Sequence, residues 1–332
     1  MAAFHVRPIE AHEFDTWDEF VADSPQGTLF HTSAWKRIAD IAFEPARLTL
    51  IGCFDDTHIV GGCVALDKDK MGQRTAVTPL VTPYVGFLLD TPPGEKMSDQ
   101  VSRDAEVLAT LATWLASHFP YQNLVNPPRL EDTRALQQAG YQLTPRFTYL
   151  INLKLPAEEL WQRFDGNVRR QIKKAEKAGY DITDNLDPAE GYRLLNETFV
   201  RHGEDCPVPE TVFLEMVENE HLRDARQIFC AHLDGRLASF IVLLKHQQTI
   251  YYQLAATDPE FLASGVSSLL IWEVIKTHAC VEWNTLDFVG ANIPSIARFK
   301  EGFNPKLQIH FQAEYCANPL IRIGKSVRDL LK

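Results

Sequence analysis

Gln227-Ile-Phe-Cys-Ala-His-Leu-Asp-Gly-Arg-Leu-Ala-Ser-Phe-Ile-Val-Leu-Leu-Lys245 carries the clearest local signal in the chain. Two apolar runs flank Asp234-Gly235, a dipeptide suited to a tight two-residue hairpin turn. They predict strands over 227–233 and 236–245. Toward the C-terminus the pattern reads strand (249–256), long helix (264–279), strand (284–289), short helix (294–301) and strand (307–314). Toward the N-terminus it reads helices over 209–220 and 188–202, preceded by a strand at 180–183. A last helix over 318–331 has no counterpart elsewhere.

The first half repeats this order. A strand at 4–8 precedes a helix over 11–23 with Phe14, Trp17, Phe20 and Val21 at helical spacing. Ser24-Pro-Gln-Gly27 breaks it, and Ser33 is a suitable cap for a second helix through 41. Strands follow at 47–54 and 58–66, then an extended stretch over 74–89 interrupted by Pro79 and Pro83. A long helix (98–118), a strand (121–125), a short helix (131–139) and a strand (142–153) complete the half. Each half thus reads β-α-α-β-β-β-α-β-α-β. Gln138-Ala-Gly-Tyr141 and Lys300-Glu-Gly-Phe303 end the two short helices alike, with glycine after the helix and an aromatic to pack back on it. The order points to an internal duplication: a first domain over 1–153 and a second over 154–332.

Length and composition agree. A chain of 332 residues accommodates about two domains, and 45% hydrophobic with 23% charged residues is ordinary globular usage. The cleanest apolar run, Leu237–Leu244, is far shorter than the ~20 residues of a spanning helix. Met1-Ala-Ala-Phe-His-Val-Arg-Pro8 does not read as a signal peptide, so a cytoplasmic location is expected. The net charge of −11 argues against a dedicated duplex-DNA binder. Six scattered cysteines form no C-x-x-C pair, and the histidines show no zinc spacing, so neither disulfides nor a metal are expected. His202, Glu204, Asp205 and Cys206 form a polar cluster after a helix that reads first as a plain surface loop, next as an acidic loop meeting a substrate amine, and least as a Cys–His nucleophile.

Between the halves lies a helical hairpin, 156–178, broken near Asp165-Gly-Asn167. Its second arm puts Val168, Ile172 and Ala175 on one face, while Arg169, Arg170, Lys173, Lys174 and Lys177 face Glu176 alone: five positive charges against one. That concentration in an acidic chain suits phosphate, RNA or an anionic surface, against the plainer reading of a solvated helix face.

The order β-α-α-β-β-β-α-β-α-β resembles that of the GNAT acyltransferase fold, and two copies joined by a basic hairpin resemble the FemABX and FemAB-like acyltransferases. Phe30-His-Thr-Ser-Ala-Trp35-Lys36 is similar to that family's early aromatic segment. Val168-Arg-Arg-Gln-Ile-Lys-Lys-Ala-Glu-Lys-Ala-Gly179 resembles its basic helix. Leu286-Asp-Phe-Val-Gly290 with Ile296-Ala-Arg-Phe-Lys-Glu-Gly-Phe303 resembles its closing motif. The resemblance implies an α/β (α+β) fold of two tandem GNAT-like domains, each a mixed sheet flanked by helices. It implies a bacterial-type acyltransferase without a tightly bound cofactor, passing an acyl group from acyl-CoA, or an amino acid from aminoacyl-tRNA, to an amine of an envelope, glycan, peptide or small-molecule acceptor. Peripheral membrane contact is compatible with it.

Amine acylation requires a neutral amine, a stabilised carbonyl oxygen, a held donor and a positioned acceptor. The resemblance places the donor where strands 249–256 and 284–289 splay, with its phosphates at the N-terminus of helix 264–279, where backbone N–H groups favour anions. Leu262-Ala-Ser-Gly265-Val-Ser267-Ser268 keeps one glycine and several hydroxyls there, without the basic residue and second glycine usual for coenzyme A. Gly265, Ser267, Ser268 and Arg298 are the donor-binding candidates. Asp287, Lys300 and Tyr252 are the catalytic candidates: Asp287 orients or deprotonates the amine or else caps its loop, Lys300 reaches a phosphate or the oxyanion or else lies on a solvated face, and Tyr252 borders the cleft. Trp35, Lys36, Arg169 and Arg170 are the acceptor- or phosphate-binding candidates, Trp35 being equally suited to a core. The rival from another class is a binding protein that keeps the groove and has lost the chemistry.

Overall fold

A computed structural model describes residues 4–70, 72–92, 94, 96–200 and 205–317. In chain order its elements are β1 (His5–Pro8), α1 (Phe14–Asp23), α2 (Ser33–Ala42), β2 (Arg47–Asp55), β3 (His58–Lys70), β4 (Gln73–Val77), β5 (Gly86–Leu89), α3 (Met97–His118), β6 (Tyr121–Val125), α4 (Arg134–Gln138) and β7 (Gln142–Asn152). There follow α5 (Ala157–Arg163), α6 (Gly166–Ala178), β8 (Asp181–Thr183), α7 (Pro188–Val200), α8 (Glu210–Glu218), β9 (Arg226–Leu233), β10 (Arg236–His246), β11 (Thr249–Thr257), α9 (Val266–His278), β12 (Thr285–Asp287), α10 (Pro294–Glu301) and β13 (Lys306–Cys316). The expected helix over 318–331, and His202 and Glu204 of the polar loop, lie outside the described residues.

The chain forms two compact units. Unit 1 comprises described residues 4–146 and 309–317, and unit 2 comprises 147–308. The division therefore falls inside β7 and β13, whereas the repeat read from sequence ends its first copy at 153. In unit 1 the strands pair in the order β1, β2, β3, β4, β6 and the 309–316 part of β13, with β5 also on β3. In unit 2 the 147–152 part of β7 pairs antiparallel with β12, followed by β11, β10, β9 and β8. Each unit thus takes as its last strand the one that, by sequence order, closes the other copy. Strand periodicity specifies which face of a strand is buried and leaves its pairing partner open, which is why this exchange is invisible in sequence.

Local chemistry explains the boundaries. The cap of α2 is Thr32, whose hydroxyl accepts from the Trp35 N–H at 3.2 Å. The expected cap, Ser33, lies one residue inside, and its N–H and hydroxyl donate to the two Asp18 carboxylate oxygens at 2.7 and 2.6 Å. Both residues are good caps, and Asp18 takes Ser33 away from the role. The break between α5 and α6 falls at extended Phe164 and Asp165, and Phe164 packs into the unit 2 core against Trp272 and Phe303. Val168, Ile172 and Ala175 are buried against that core, so the predicted apolar face of α6 is the one that docks.

Candidate active site

The centre of unit 2 is the parallel pair β11–β12. It matches only Thr249 with Thr285, Ile250 with Leu286 and Tyr251 with Asp287. β12 ends there while β11 runs on to Thr257. The strands therefore part just beyond Tyr251. On its other edge β11 carries an irregular step against β10, with Leu243 opposite Tyr252 and Val242 opposite Leu254, leaving Gln253 as an extra residue. Such bulges re-aim a strand beside a functional site.

A cleft of about 730 Å³ opens nearby, walled by α6, the start of α9 and α10. Gly265, Ser267, Ser268 and Arg298, the four donor-binding candidates, all line it. Gly265 adopts a left-handed conformation (φ +89°), and a Cβ there would stand 2.3 Å from the Gln171 carbonyl oxygen. Glycine is thus required where the loop before α9 presses on the backbone of α6. The Lys174 ammonium holds the same loop from α6, donating to the Ala263 carbonyl at 2.6 Å. Ser267 shares a hydrogen bond with the Thr257 hydroxyl at 2.8 Å, which shares another with Ser239 at 2.8 Å, tying the first turn of α9 to β11 and β10. The first N–H groups of a helix have no intrahelical acceptor and make its start a site for anions. Asp165 and Glu301, which sequence reasoning passed over, also line the cleft. The Tyr149 hydroxyl donates to the Glu301 carboxylate at 2.6 Å, and that bond, with burial, pushes the Tyr149 phenol up to about 12. The only sequence signal for Glu301 was its place beside Lys300 in the closing motif.

Asp287, Lys300 and Tyr252 are also brought together, in a buried cluster below α10. Asp287 is 3% exposed, and its Oδ1 accepts from the Thr148 hydroxyl at 2.6 Å and from the Val289 N–H at 2.8 Å. The Thr148 oxygen in turn accepts from the Gly290 N–H at 3.0 Å. Val289 and Gly290 both have positive φ (+47° and +137°), so Asp287 and Thr148 brace a loop of unfavourable backbone conformation. Lys300 is 8% exposed and donates to the carbonyl oxygens of Phe288 at 2.8 Å and Gly290 at 2.9 Å. Burial pulls its ammonium down to about 8, with the Asp287 carboxylate pulling the other way. Its Nζ lies 5.8 Å from the Tyr252 ring centre and 5.7 Å from that of Phe288. Tyr252 meets Phe288 edge to face, and burial pushes its phenol up. The solvated helix face weighed for Lys300 is therefore not its environment. The bonds of Asp287 to Thr148 and to the Val289 N–H fit the loop-capping role weighed for it.

The acceptor candidates fall in different units. Trp35 is 1% exposed in the core of unit 1, edge to face with Phe30. Lys36 donates to Asp40 Oδ2 and to the Leu48 carbonyl, both at 2.7 Å, while Asp40 Oδ1 accepts from the Leu48 N–H. It joins α2 to β2, and its donors are engaged inside unit 1. Lys36→Met is therefore expected to lower stability by about 1–3 kcal/mol and leave the acceptor KM unchanged. Urea unfolding and steady-state kinetics check this, and a raised KM at unchanged stability would restore a substrate contact. Arg169 is half-buried and Arg170 exposed on α6, and neither forms an ion pair among the described residues.

Residues 162–301 match the acetyltransferase (GNAT) domain model. No curated protein sequence matches the chain. Among solved structures, FemX is similar at TM-score 0.69 and 14% identity, over 96% of this chain and 99% of that one. L-PGS from Bacillus licheniformis is similar at 0.55 and 11% identity, over 93% and 94%. A tandem GNAT protein from the clavulanic acid biosynthesis pathway is similar at 0.51 and 13% identity, over 94% and 98%. Residues 162–301 thus match a GNAT acetyltransferase domain, and the chain as a whole has a FemX-like tandem fold. Among the described residues no helix is long and apolar enough to cross a membrane.

Proposed function

We propose that the chain moves an acyl group from a thioester donor of the acyl-CoA type to a primary amine. The observation that carries this reading is the convergence of Gly265, Ser267, Ser268 and Arg298 on one cleft at the start of α9. The donor phosphates meet the first turn of α9 and Arg298, and the thioester reaches toward the open edge of β11, where backbone N–H groups face the developing oxyanion. The amine nitrogen attacks the carbonyl carbon, the C–S bond breaks, and the sulfur leaves as thiolate. The ammonium proton passes to a cleft carboxylate, Glu301 or Asp165, and thence to water. Asp287 and Lys300 act by positioning: they hold loop 288–290 so that Tyr252 and the splay keep their shape. The acceptor is an envelope, glycan, peptide or small-molecule amine.

A second reading has its own observation. Arg169, Arg170, Lys173 and Lys177 form no ion pair among the described residues, on a helix whose Asn167 and Gln171 line the cleft. Such a cationic face suits the backbone of an aminoacyl-tRNA. Isotope-labelled transfer with each donor separates the two. The thioester reading expects transfer from acyl-CoA that survives RNase and changes less than ~3-fold when Arg169 and Arg170 become glutamate. Transfer abolished by RNase would replace it with the second reading. Failure of both donors, with tight binding of an amine-bearing ligand, would leave a binding protein.

A further inference from the structure

Unit 1 has a cleft built from the counterparts of two of the three helices that wall the donor cleft. Helices α3 and α4 stand in the repeat where α9 and α10 stand in unit 2, and a space of about 510 Å³ lies between them. β5 runs antiparallel to β3, matching Cys63 with Phe87 and Gly61 with Leu89. The backbone N–H groups of Phe87 and Leu89 point away from β3. In unit 2 the corresponding strand edge is β11 beyond Tyr251.

In unit 1 that edge is already satisfied by side chains. The Phe87 N–H donates to Asn126 Oδ1 at 3.1 Å, and the Leu89 N–H donates to Gln26 Oε1 at 3.0 Å. Both amides are buried and held from behind. Asn126 Nδ2 donates to the Phe311 carbonyl at 3.1 Å, and Gln26 Nε2 donates to the Arg129 carbonyl at 3.2 Å. Gly86 makes room, since a Cβ there would stand 2.3 Å from Asn126 Oδ1.

The repeat identifies what replaces Asn126 in unit 2. Thr75 pairs with Tyr121 on β6 as Thr249 pairs with Thr285 on β12. Counting onward by equal steps, Asn126 falls on Gly290. Counting by the closing strand, where Asn126 N–H donates to Phe311 O and Ala291 N–H to Phe147 O, it falls on Ala291. Neither residue has a side chain that accepts a hydrogen bond, and a Cβ on Gly290 would meet nothing within 4 Å.

We infer that Asn126 and Gln26 close the donor groove of unit 1 by taking the strand-edge N–H groups that a donor's amide arm would use, so that the chain binds one thioester donor, in unit 2. An extended ligand with amides can add to a strand edge only where that edge is free. This rests on the reading of the unit 2 cleft as the thioester site. The test is hydrogen exchange on the full chain with and without coenzyme A, with binding stoichiometry by calorimetry. In the unaltered protein the Phe87 and Leu89 amides should exchange slowly and be unaffected by coenzyme A, with one ligand bound per chain. In Asn126→Gly/Gln26→Ala they should exchange at least ~10-fold faster without ligand, and coenzyme A should slow them again. Two ligands per unaltered chain, protection of Phe87 and Leu89 by coenzyme A, or unchanged exchange in the double variant would each overturn the closure. If coenzyme A binds nowhere, the thioester reading fails, and the closure is judged by ligand-free exchange alone. Should the double variant not fold, Asn126→Ala and Gln26→Ala taken singly each report on their own partner amide.

Discussion

Lys300→Met is expected to cost about 2–4 kcal/mol of stability and to reduce turnover at least ~100-fold. Methionine fills the space but cannot donate, so the carbonyls of Phe288 and Gly290 lose their partner in a buried setting. The loop they belong to holds two residues at positive φ, and it relaxes once the clamp is gone. A positioning role makes turnover and stability fall together, which a surface lysine would not do. The pH dependence separates the charge from the hydrogen bonds. Unfolded, the lysine keeps its proton to its ordinary 10.5, whereas folded it releases it near 8. Below 8 both states are charged and the burial penalty is constant. Between 8 and 10.5 the unfolded chain binds more protons, so stability rises with pH. A neutral amine still has two N–H groups for the two carbonyls. The unaltered protein should therefore gain on Lys300→Met by up to about 3 kcal/mol as pH rises through this window. Urea unfolding of both proteins at pH 7.5 and pH 10 measures it, and a pH-independent difference would show that the ammonium is not desolvated.

Gly265→Val is expected to raise the donor KM at least ~10-fold and to cost about 3 kcal/mol or more. Valine is strongly disfavoured at φ +89°, and its Cβ collides with the Gln171 carbonyl, a backbone atom that cannot swing aside. The loop must withdraw from α6, taking the start of α9 with it, and the Lys174 tether to Ala263 must stretch. Gly265→Ala meets the same first atom and should show a smaller effect of the same sign. Donor titration followed by tryptophan fluorescence, with thermal unfolding alongside, checks both. Unchanged donor affinity in the valine variant would remove this loop from the donor site.

Much of the fold was legible because its signals are local. The Asp234-Gly235 turn and the apolar stripe of α6 fall where expected, and Gly140 takes the left-handed conformation after its helix, whereas Gly302 stays right-handed helical (φ −59°). The pairing of the two closing strands was not legible, since a strand's alternation is the same whichever sheet receives it. At the site, Asp287 and Lys300 of the family-like motif lie near Tyr252, and Gly265, Ser267, Ser268 and Arg298 line one cleft. The direction of each side chain was beyond the sequence. Lys300 turns inward to two carbonyls while its neighbours Arg298 and Glu301 turn to the cleft, a consequence of the 100° step between successive residues of α10. Lys36 looked available for a phosphate because its partners, Asp40 and the Leu48 carbonyl, meet it only after α2 packs on β2. Glu301 and Asp165 were overlooked because isolated acidic residues carry no spacing signal.

The interrupted unit also fixes an order of assembly. Unit 2 is one continuous stretch, 147–308, whereas unit 1 needs residues 309–316 for its last strand. During synthesis the pairing of β6 with β13 closes a loop of more than 180 residues, the slowest kind of contact to form. Unit 2 can therefore complete its core while unit 1 still waits for a strand not yet made. Until then the β6 edge that β13 covers presents unpaired N–H and C=O groups, the kind of edge that folded proteins keep covered.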